Sequence, residues 1–500
     1  MAPGEFLCWY GVDVSDAFAR VLHILAVRKI PAEGGLAVKG RQRTGLLLIL
    51  VGSLVFVLWG TSLARAKPLG GLDFRALYEG AGCLLHHCDP FNPSEMRAYY
   101  NATGDARLYP EWALYTLSLL DYLPTLYPFT GAFAMLPWSM AQSLWTGLTA
   151  VSFLLAAYAM WREAKDDAPL LAGCLIGFLL ANSEITLSGG NAAGFVVSFC
   201  VLATWCFLHD RFVWAGALCM AASLAMKPHD AGLIWLYFLL IGGSFRKRAV
   251  QTLAVNLLLG VAAIIWVSLA APHWFAEMRS VMAIYASHGG ANDPGILGDP
   301  KSSFRSFGLA VYPGMVCDLQ SIAAVFRDDP MFYNPFTYFF CAPFLAIWIV
   351  ATLRSPISRD TCYLALAAIV PFTLLVTYHR TTDTKLLLLV IPACALLWSE
   401  GGVMKWLAFA VTGAGIFITG DISLVVLGIR AGLPDWVHAG VLRKALLVLE
   451  YRPVPLVLLA MGIFYLWAYV RSARIRTVSS ELAEPFSMKP VPQQAEIQAH

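Results

Sequence analysis

Four short polar stretches interrupt a chain that is otherwise strongly apolar, and each holds residues able to do chemistry. The first runs Gly70-Gly71-Leu72-Asp73-Phe74-Arg75-Ala76-Leu77-Tyr78-Glu79-Gly80. Asp73 there is a carboxylate just past an apolar run, close to a bilayer but within reach of water. A hydroxyl nucleophile has little reactivity until its proton is taken, and a positioned carboxylate can take it. The competing reading is a helix N-cap, a position that favours Asp. The second stretch, Lys227-Pro228-His229-Asp230, ends another apolar run. Lys and His at a lipid boundary suit a phosphate or pyrophosphate, as a point charge and a hydrogen-bond donor; a snorkelling lysine is the alternative. The third, Tyr378-His379-Arg380-Thr381-Thr382-Asp383, offers the planar fork of Arg380 for phosphate oxygens and His379 as a donor to a leaving phosphate, with Lys385 nearby. An ordinary polar turn would read the same way. The fourth, Gly189-Gly190-Asn191, opens an apolar run, where a helix N-terminus favours anions or Asn191 simply caps the helix.

These stretches must be positioned by membrane-spanning helices. The chain has 500 residues, 58% of them hydrophobic and 13% charged, with a mean hydropathy of +0.65. Soluble globular proteins carry about 25% charged residues, so a soluble enzyme of ordinary make-up is excluded. No basic stripe interleaved with aromatics points to nucleic acid. A spanning helix needs about 20 mostly apolar residues. Spans are predicted near 44–63, 139–161, 168–187, 191–209, 212–226, 230–244, 249–271, 336–353, 361–377, 384–399, 404–427 and 453–470. The runs 212–226 and 230–244 are short and interrupted by Lys227-Pro228, and 125–138 reads as a re-entrant or interfacial helix bracketed by prolines. The fold class predicted is all-α, a polytopic membrane protein of about 12 helices.

Basic residues orient it. Arg28, Lys29, Lys39, Arg41 and Arg43, then Arg246–Arg248, Arg354 with Arg359, and Arg471, Arg474 and Arg476 all fall on one side of this map. That side is cytoplasmic by the positive-inside rule. Segments of about 64–138 and 272–335 are then long non-cytoplasmic loops. The domain reading is a cytoplasmic segment 1–43, in part an amphipathic surface helix, then a membrane domain 44–470 and a disordered tail 471–500. No cleavable signal peptide is evident in residues 1–40. In the second outer loop, residues 286–305 hold His288, Asn292, Asp293, Asp299, Lys301 and Arg305 among glycines and prolines, as a mobile acceptor-binding flap would. The eleven cysteines lack paired C-x-x-C sets, which argues against structural zinc. Cys83 and Cys88 face an oxidising space and are open to a disulfide, while His86 and His87 between them read as loop histidines or metal ligands.

In order along the chain come a D-F…Y…G loop at 73–80 (Asp73, Phe74, Tyr78, Gly80), DPFNP at 89–93, YPFTGAFAMLPWSMAQSLW at 127–145, GGN at 189–191, AMKPH at 225–229 and YHRTTD at 378–383. Together they resemble glycosyltransferase family 87, a branch of the GT-C superfamily that includes polyprenol-phosphate-mannose-dependent α-mannosyltransferases. The resemblance covers roughly residues 44–430. It implies an inverting transferase that moves a sugar, mannose by default, from a polyprenyl-phosphate donor to an acceptor hydroxyl on a glycolipid or glycan, at the outer face of a bacterial inner membrane. It implies Asp73 as the catalytic base, and Lys227, His229, His379 and Arg380 around the donor phosphate. Tyr78, Asn191, His288 and Asp383 are further substrate-binding candidates. No cofactor and no metal is called for, since cationic side chains can neutralise a monophosphate. The sequence departs from the family pattern with YPFT where YPP is usual and GGN where GQ-x-N is usual, which leaves sugar and acceptor open. A transporter or flippase would instead place ionisable residues mid-span and repeat its halves, and a lipid-diphosphate glycan ligase would carry its main catalytic loop late in the chain.

Overall fold

The structure is a computed structural model, and it describes residues 35–66, 70–103, 111–119, 122–286, 316–423 and 440–483, with the single positions 109 and 294. Among the described residues every regular element is helical, and the only β-type pairing is an isolated antiparallel bridge between Val316 and Arg380. Among the described residues each of the twelve apolar runs lies largely on helix, the run 404–427 as far as Gly402–Ile418. Six helices are long and apolar enough to cross a membrane: Val38–Ala64, Trp138–Ala164, Gly243–Ala270, Pro330–Arg354, Arg359–Val376 and Pro453–Ala473. The others are shorter or broken. The run 168–187 divides into Pro169–Leu180 and Glu184–Ser188, and 384–399 starts as a 3-10 helix, Asp383–Val390, before Ile391–Glu400. The chain is an all-α polytopic membrane protein.

Lipid is the solvent that this surface expects. Leu47, Leu50, Leu54 and Leu58 on the first long helix, and Leu257, Leu258, Val261 and Leu269 on Gly243–Ala270, are exposed. Contiguous apolar surface of this kind would aggregate in water and is stable against acyl chains. Inside, Arg359–Val376 is buried along almost its whole length, from Thr361 to Leu375. Its start is fixed by reciprocal hydrogen bonds between Ser358 and Thr361, a capping arrangement that satisfies two amides otherwise left bare.

Helix Gly35–Ala64 packs parallel to Pro169–Leu180 along a seam of glycines. Gly45 lies against Pro169 and Gly173, Gly52 against Gly177, and Gly60 against Leu187. A β-carbon added at Gly177 would sit 2.5 Å from the Leu48 carbonyl oxygen, and one at Gly52 would run into the Gly177 backbone. Helix association in lipid has no hydrophobic drive, so close van der Waals approach through small residues supplies it.

The seam has a polar layer at each end. At one end Arg359 pairs with Asp167 (2.8 Å) and Glu163 (3.8 Å), His209 lies 2.6 Å from Glu163, and Arg248 binds Asp210 and the Phe207 carbonyl. The other end carries the candidate site. Helix Trp138–Ala164 runs 27 residues, about 40 Å at 1.5 Å per residue, which is ample for a hydrocarbon core.

Two expectations need adjusting. The last helix does not stop at 470 but continues through Ala483, into the segment read as a disordered tail. The stretch Arg471–Ala483 contains no glycine or proline and is rich in helix formers, so the helix propagates; residues 484–500 lie outside the described residues. The first helix likewise begins at Gly35, before the apolar run. Residues 1–34, where an amphipathic segment is expected, are not among those described. The short helix Tyr127–Ala134, with Pro124–Leu126 before it, occupies the place read as re-entrant or interfacial.

Replacing Gly52 with Leu should force the seam apart and lower stability by about 1–3 kcal/mol, the usual range for overpacking. Gly232→Ala, at a glycine with open space beside it, should leave the unfolding temperature in detergent unchanged.

Candidate active site

The seam delivers the chain end after Ala64 to the segment 188–191. Gly71 donates its amide to the Ser188 carbonyl (2.7 Å) and Asp73 donates its amide to the Gly189 carbonyl (2.9 Å). Helix Leu72–Leu85 starts there. Its N-cap is Gly71, in the left-handed region at φ 74°, so Asp73 does not cap the helix. Its Oδ2 instead accepts from Asn191 Nδ2 at 2.8 Å. Asn191 Oδ1 accepts from the Ala193 amide at 2.9 Å, so one side chain both starts helix Ala193–Leu208 and orients the carboxylate. Gly190, at φ 66°, admits no side chain: a β-carbon would lie 2.8 Å from Phe74 Cβ.

An aromatic floor lies beneath. Phe74 stacks on Trp145 at 4.3 Å, Trp145 meets Phe195 edge-on at 4.8 Å, and Trp145 Nε1 donates to the Gly190 carbonyl at 2.9 Å. Met226, next to Lys227, is buried in the same cluster as Phe74 and Ala192. The residues next to Asp73 and next to Lys227 thus belong to one aromatic cluster.

The cationic half is made by a helix break. Pro228 disfavours helical geometry in the residue before it, and Lys227 sits at φ −144°, ψ 85° between Val213–Met226 and Pro228–Leu240. The break turns Lys227 inward rather than letting it snorkel. Its Nζ donates to Asp383 Oδ1 at 2.7 Å, with the two side chains 14% and 3% exposed. Asp383 Oδ2 accepts from the Arg380 amide at 2.9 Å, and the Asp383 amide donates back to the Arg380 carbonyl. Burial opposes both charges, but each partner outweighs it: Asp383, helped by Asp230, raises the Lys227 ammonium, and Lys227 with His379 holds the Asp383 carboxyl down at about 2.

His379 is fully buried. Its Nδ1 lies 2.8 Å from the Thr377 carbonyl and its Nε2 lies 2.9 Å from Asp230 Oδ1. Burial works against a charge on this ring, yet the contact with Asp230 raises its pKa overall. His229 is exposed, with its ring 4.9 Å from that of His379. Lost hydration of the ring where it packs against the buried cluster, together with the charges of His379 and Lys227, lowers its pKa despite Asp230. Arg380 is half-buried; its Nε donates to the Tyr378 hydroxyl, whose ring lies under the guanidinium at 5.5 Å.

The two halves are also joined from behind. Lys385 donates to the carbonyls of Asn182 and Thr419, each at 3.2 Å. Asn182 Oδ1 accepts from the Ile422 amide at 2.8 Å, and Asp421 Oδ2 accepts from the Ile185 amide at 2.6 Å. A single residue, Thr384, thus separates the Asp383 hub from a lysine that grips the segment leading to Gly189.

Several sequence expectations change on this geometry. Lys385 is buried and turned to backbone carbonyls, away from any anion beside Arg380. His379 and Asp383 face protein groups rather than an open side, because Asp230 and Lys227 hold them. The Tyr78 hydroxyl donates to the Leu136 carbonyl at 2.7 Å and tethers the loop to the aromatic segment. In DPFNP, Asp89 accepts from the Phe91 amide and Asn92 caps helix Pro93–Thr103, so that stretch is structural. Cys83 and Cys88 form a disulfide. His288 and the loop around it lie outside the described residues. Asp230 was passed over although it adjoins His229, and Asn182 and Asp421 carried no signal beyond being polar near apolar runs.

A lipid-facing helical bundle with buried carboxylate–cation layers at its two ends defines the class, a polytopic membrane protein. Residues 121–317 match the family model of glycosyltransferase family 87, so over this stretch the chain is similar to that family of glycosyltransferases. The matched stretch contains Asn191, Lys227 and His229; Asp73, His379 and Arg380 lie outside it. No curated protein and no solved structure matches the chain significantly.

Asp383→Asn or Lys227→Met alone should cost about 3–5 kcal/mol, because each leaves a buried charge unpaired. The double variant should cost less than either single one, measured by thermal unfolding of the detergent-purified protein.

Proposed function

We propose that the protein transfers a sugar, mannose by default, from a polyprenyl-phosphate donor to an acceptor hydroxyl, with inversion, at the outer face of a bacterial inner membrane. The observation that supports this reading is the Asp73–Asn191 pair, next to the aromatic cluster that also holds Met226, the neighbour of Lys227. Asn191 engages only Oδ2, and Oδ1 has no partner among the described residues. That oxygen is the base. Asn191 holds the carboxylate in one orientation, so its basic lone pair is set before an acceptor arrives.

The step is a single displacement. The acceptor oxygen attacks the anomeric carbon as Asp73 takes its proton, the bond from that carbon to the phosphate oxygen breaks, and the configuration inverts. Charge grows on the departing phosphate. His229 reaches it from the exposed side and Arg380 from the neighbouring turn, while Lys227 adds a fixed positive field from its buried pair. Preorganised charge of this kind does not need to reorient during reaction. His379 is a positioning residue in this scheme, holding Asp230 beneath His229. The donor's prenyl chain lies along the apolar outer surface, as the family resemblance implies for a GT-C enzyme. The basic clusters of the sequence support the orientation of the site away from the cytoplasm. Its acceptor is a glycolipid or glycan, and no nucleotide site is needed.

Asp73→Asn should reduce transfer from radiolabelled polyprenyl-phosphate mannose to a membrane extract by about 10²–10⁴-fold, the usual contribution of a general base, while its elution profile and unfolding temperature stay as in the unaltered protein. Asn191→Ala should reduce the rate less and leave the donor KM in place. Full activity in the Asp73 variant would sink the assignment.

A further inference from the structure

We propose that His229, Asp230 and His379 form a binding site for a divalent transition-metal ion such as Zn²⁺ or Mn²⁺. Potential ligand atoms of the three residues all lie within 4.8 Å of one another. The geometry around His379 motivates the proposal. A carbonyl oxygen only accepts, so the 2.8 Å contact with Thr377 fixes the hydrogen on Nδ1. In the neutral ring, Nε2 is then a lone pair, and it faces the Asp230 carboxylate at 2.9 Å. Two electron-rich groups held this close, in a fully buried place, require a cation.

A proton on Nε2 is one such cation, and it would make a directed hydrogen bond. The 2.9 Å ion pair leaves the site short of hydrogen bonds: by geometry His379 Nε2 and both oxygens of Asp230 are buried without a well-directed one. Burial of an ionised carboxylate without such bonds is costly. A metal ion removes the problem, because it needs lone pairs directed at one point rather than a linear donor–acceptor axis.

The donor set is selective. Two imidazoles and one carboxylate suit first-row divalent ions better than calcium or magnesium, which take mostly oxygen ligands. The Thr377 carbonyl is the outer partner expected of a ligating histidine, since it fixes the tautomer and ring orientation. Lys227 does not compete strongly for Asp230, because its own hydrogen bond goes to Asp383. His229 is exposed while the other two are buried, so the ion would be reached from the side of His229 and keep an open coordination position there. An oxygen of a phosphate would fit that position; this use rests on the donor reading above, whereas the site itself does not.

The test is metal retention by the full-length protein, purified without a histidine tag in chelator-treated buffer. The protein is incubated with Zn²⁺ or Mn²⁺ alone, desalted, and assayed by elemental mass spectrometry. About one ion per chain is expected, with affinity lowered about tenfold or more in His229→Gln and in Asp230→Asn. His229 is exposed, so that variant should keep its elution profile and report on binding rather than folding. Cobalt substitution should add visible d–d absorption that the His229 variant loses. No retained ion in the unaltered protein, or equal retention in both variants, would overturn the inference. Sugar transfer by metal-free protein would leave the glycosyl-transfer reading standing without a metal role. Stoichiometric binding with no transfer from any lipid phosphate would do the reverse.

Discussion

The close approach of helices Gly35–Ala64 and Pro169–Leu180 is the constraint on which the site depends. Backbone meets backbone at Gly45, Gly52, Gly173 and Gly177, and the register that results is carried upward to Gly60 and Leu187. Beyond that contact, Gly71 and Asp73 donate their amides to the Ser188 and Gly189 carbonyls. The position of a single carboxylate is thus set by contacts distributed over some thirty residues of helix, none of which touches it. Lipid offers those contacts no hydrophobic competitor and no water to fill a gap, so steric fit alone decides the register.

Above the seam, the energetic problem is charge. Lys227, Asp230, His379 and Asp383 are drawn together where solvation is poor, and an unmatched ion there is expensive. The Lys227–Asp383 pair and the turn that returns the Arg380 amide to Asp383 solve this locally. They also take those groups out of direct service: a lysine bound to a carboxylate acts through its field, and Arg380 and His229 at the edge are better placed to touch a ligand. The long 3-10 helix Asp383–Val390 belongs to the same compromise. Its tighter winding is uncommon beyond three or four residues, and it places Asp383 toward the turn while Lys385 reaches Asn182 and Thr419.

The helices were legible because lipid imposes a length and a composition, and among the described residues the apolar runs lie largely on helical segments. Asp73 and Asn191 were legible as separate candidates; that they bind each other was not, since 118 residues lie between them and only the glycine seam brings them together. The site's inward-facing groups were misjudged for a related reason. A polar residue at the end of an apolar run looks available, and the partner that occupies it comes from another run: Asp383 for Lys227, Asp230 for His379, the Asn182 carbonyl for Lys385. Asp230 was the missed residue with most chemistry, hidden because its neighbour His229 explained the motif without it.

The far end of the bundle is closed by Arg359, Glu163, Asp167, His209, Arg248 and Asp210. Between it and the candidate site lies the buried helix Arg359–Val376, lined with Leu, Ala, Ile and Phe. Along this helix the two charged layers are thus held about 25 Å apart, with no charged side chain between Thr361 and Leu375.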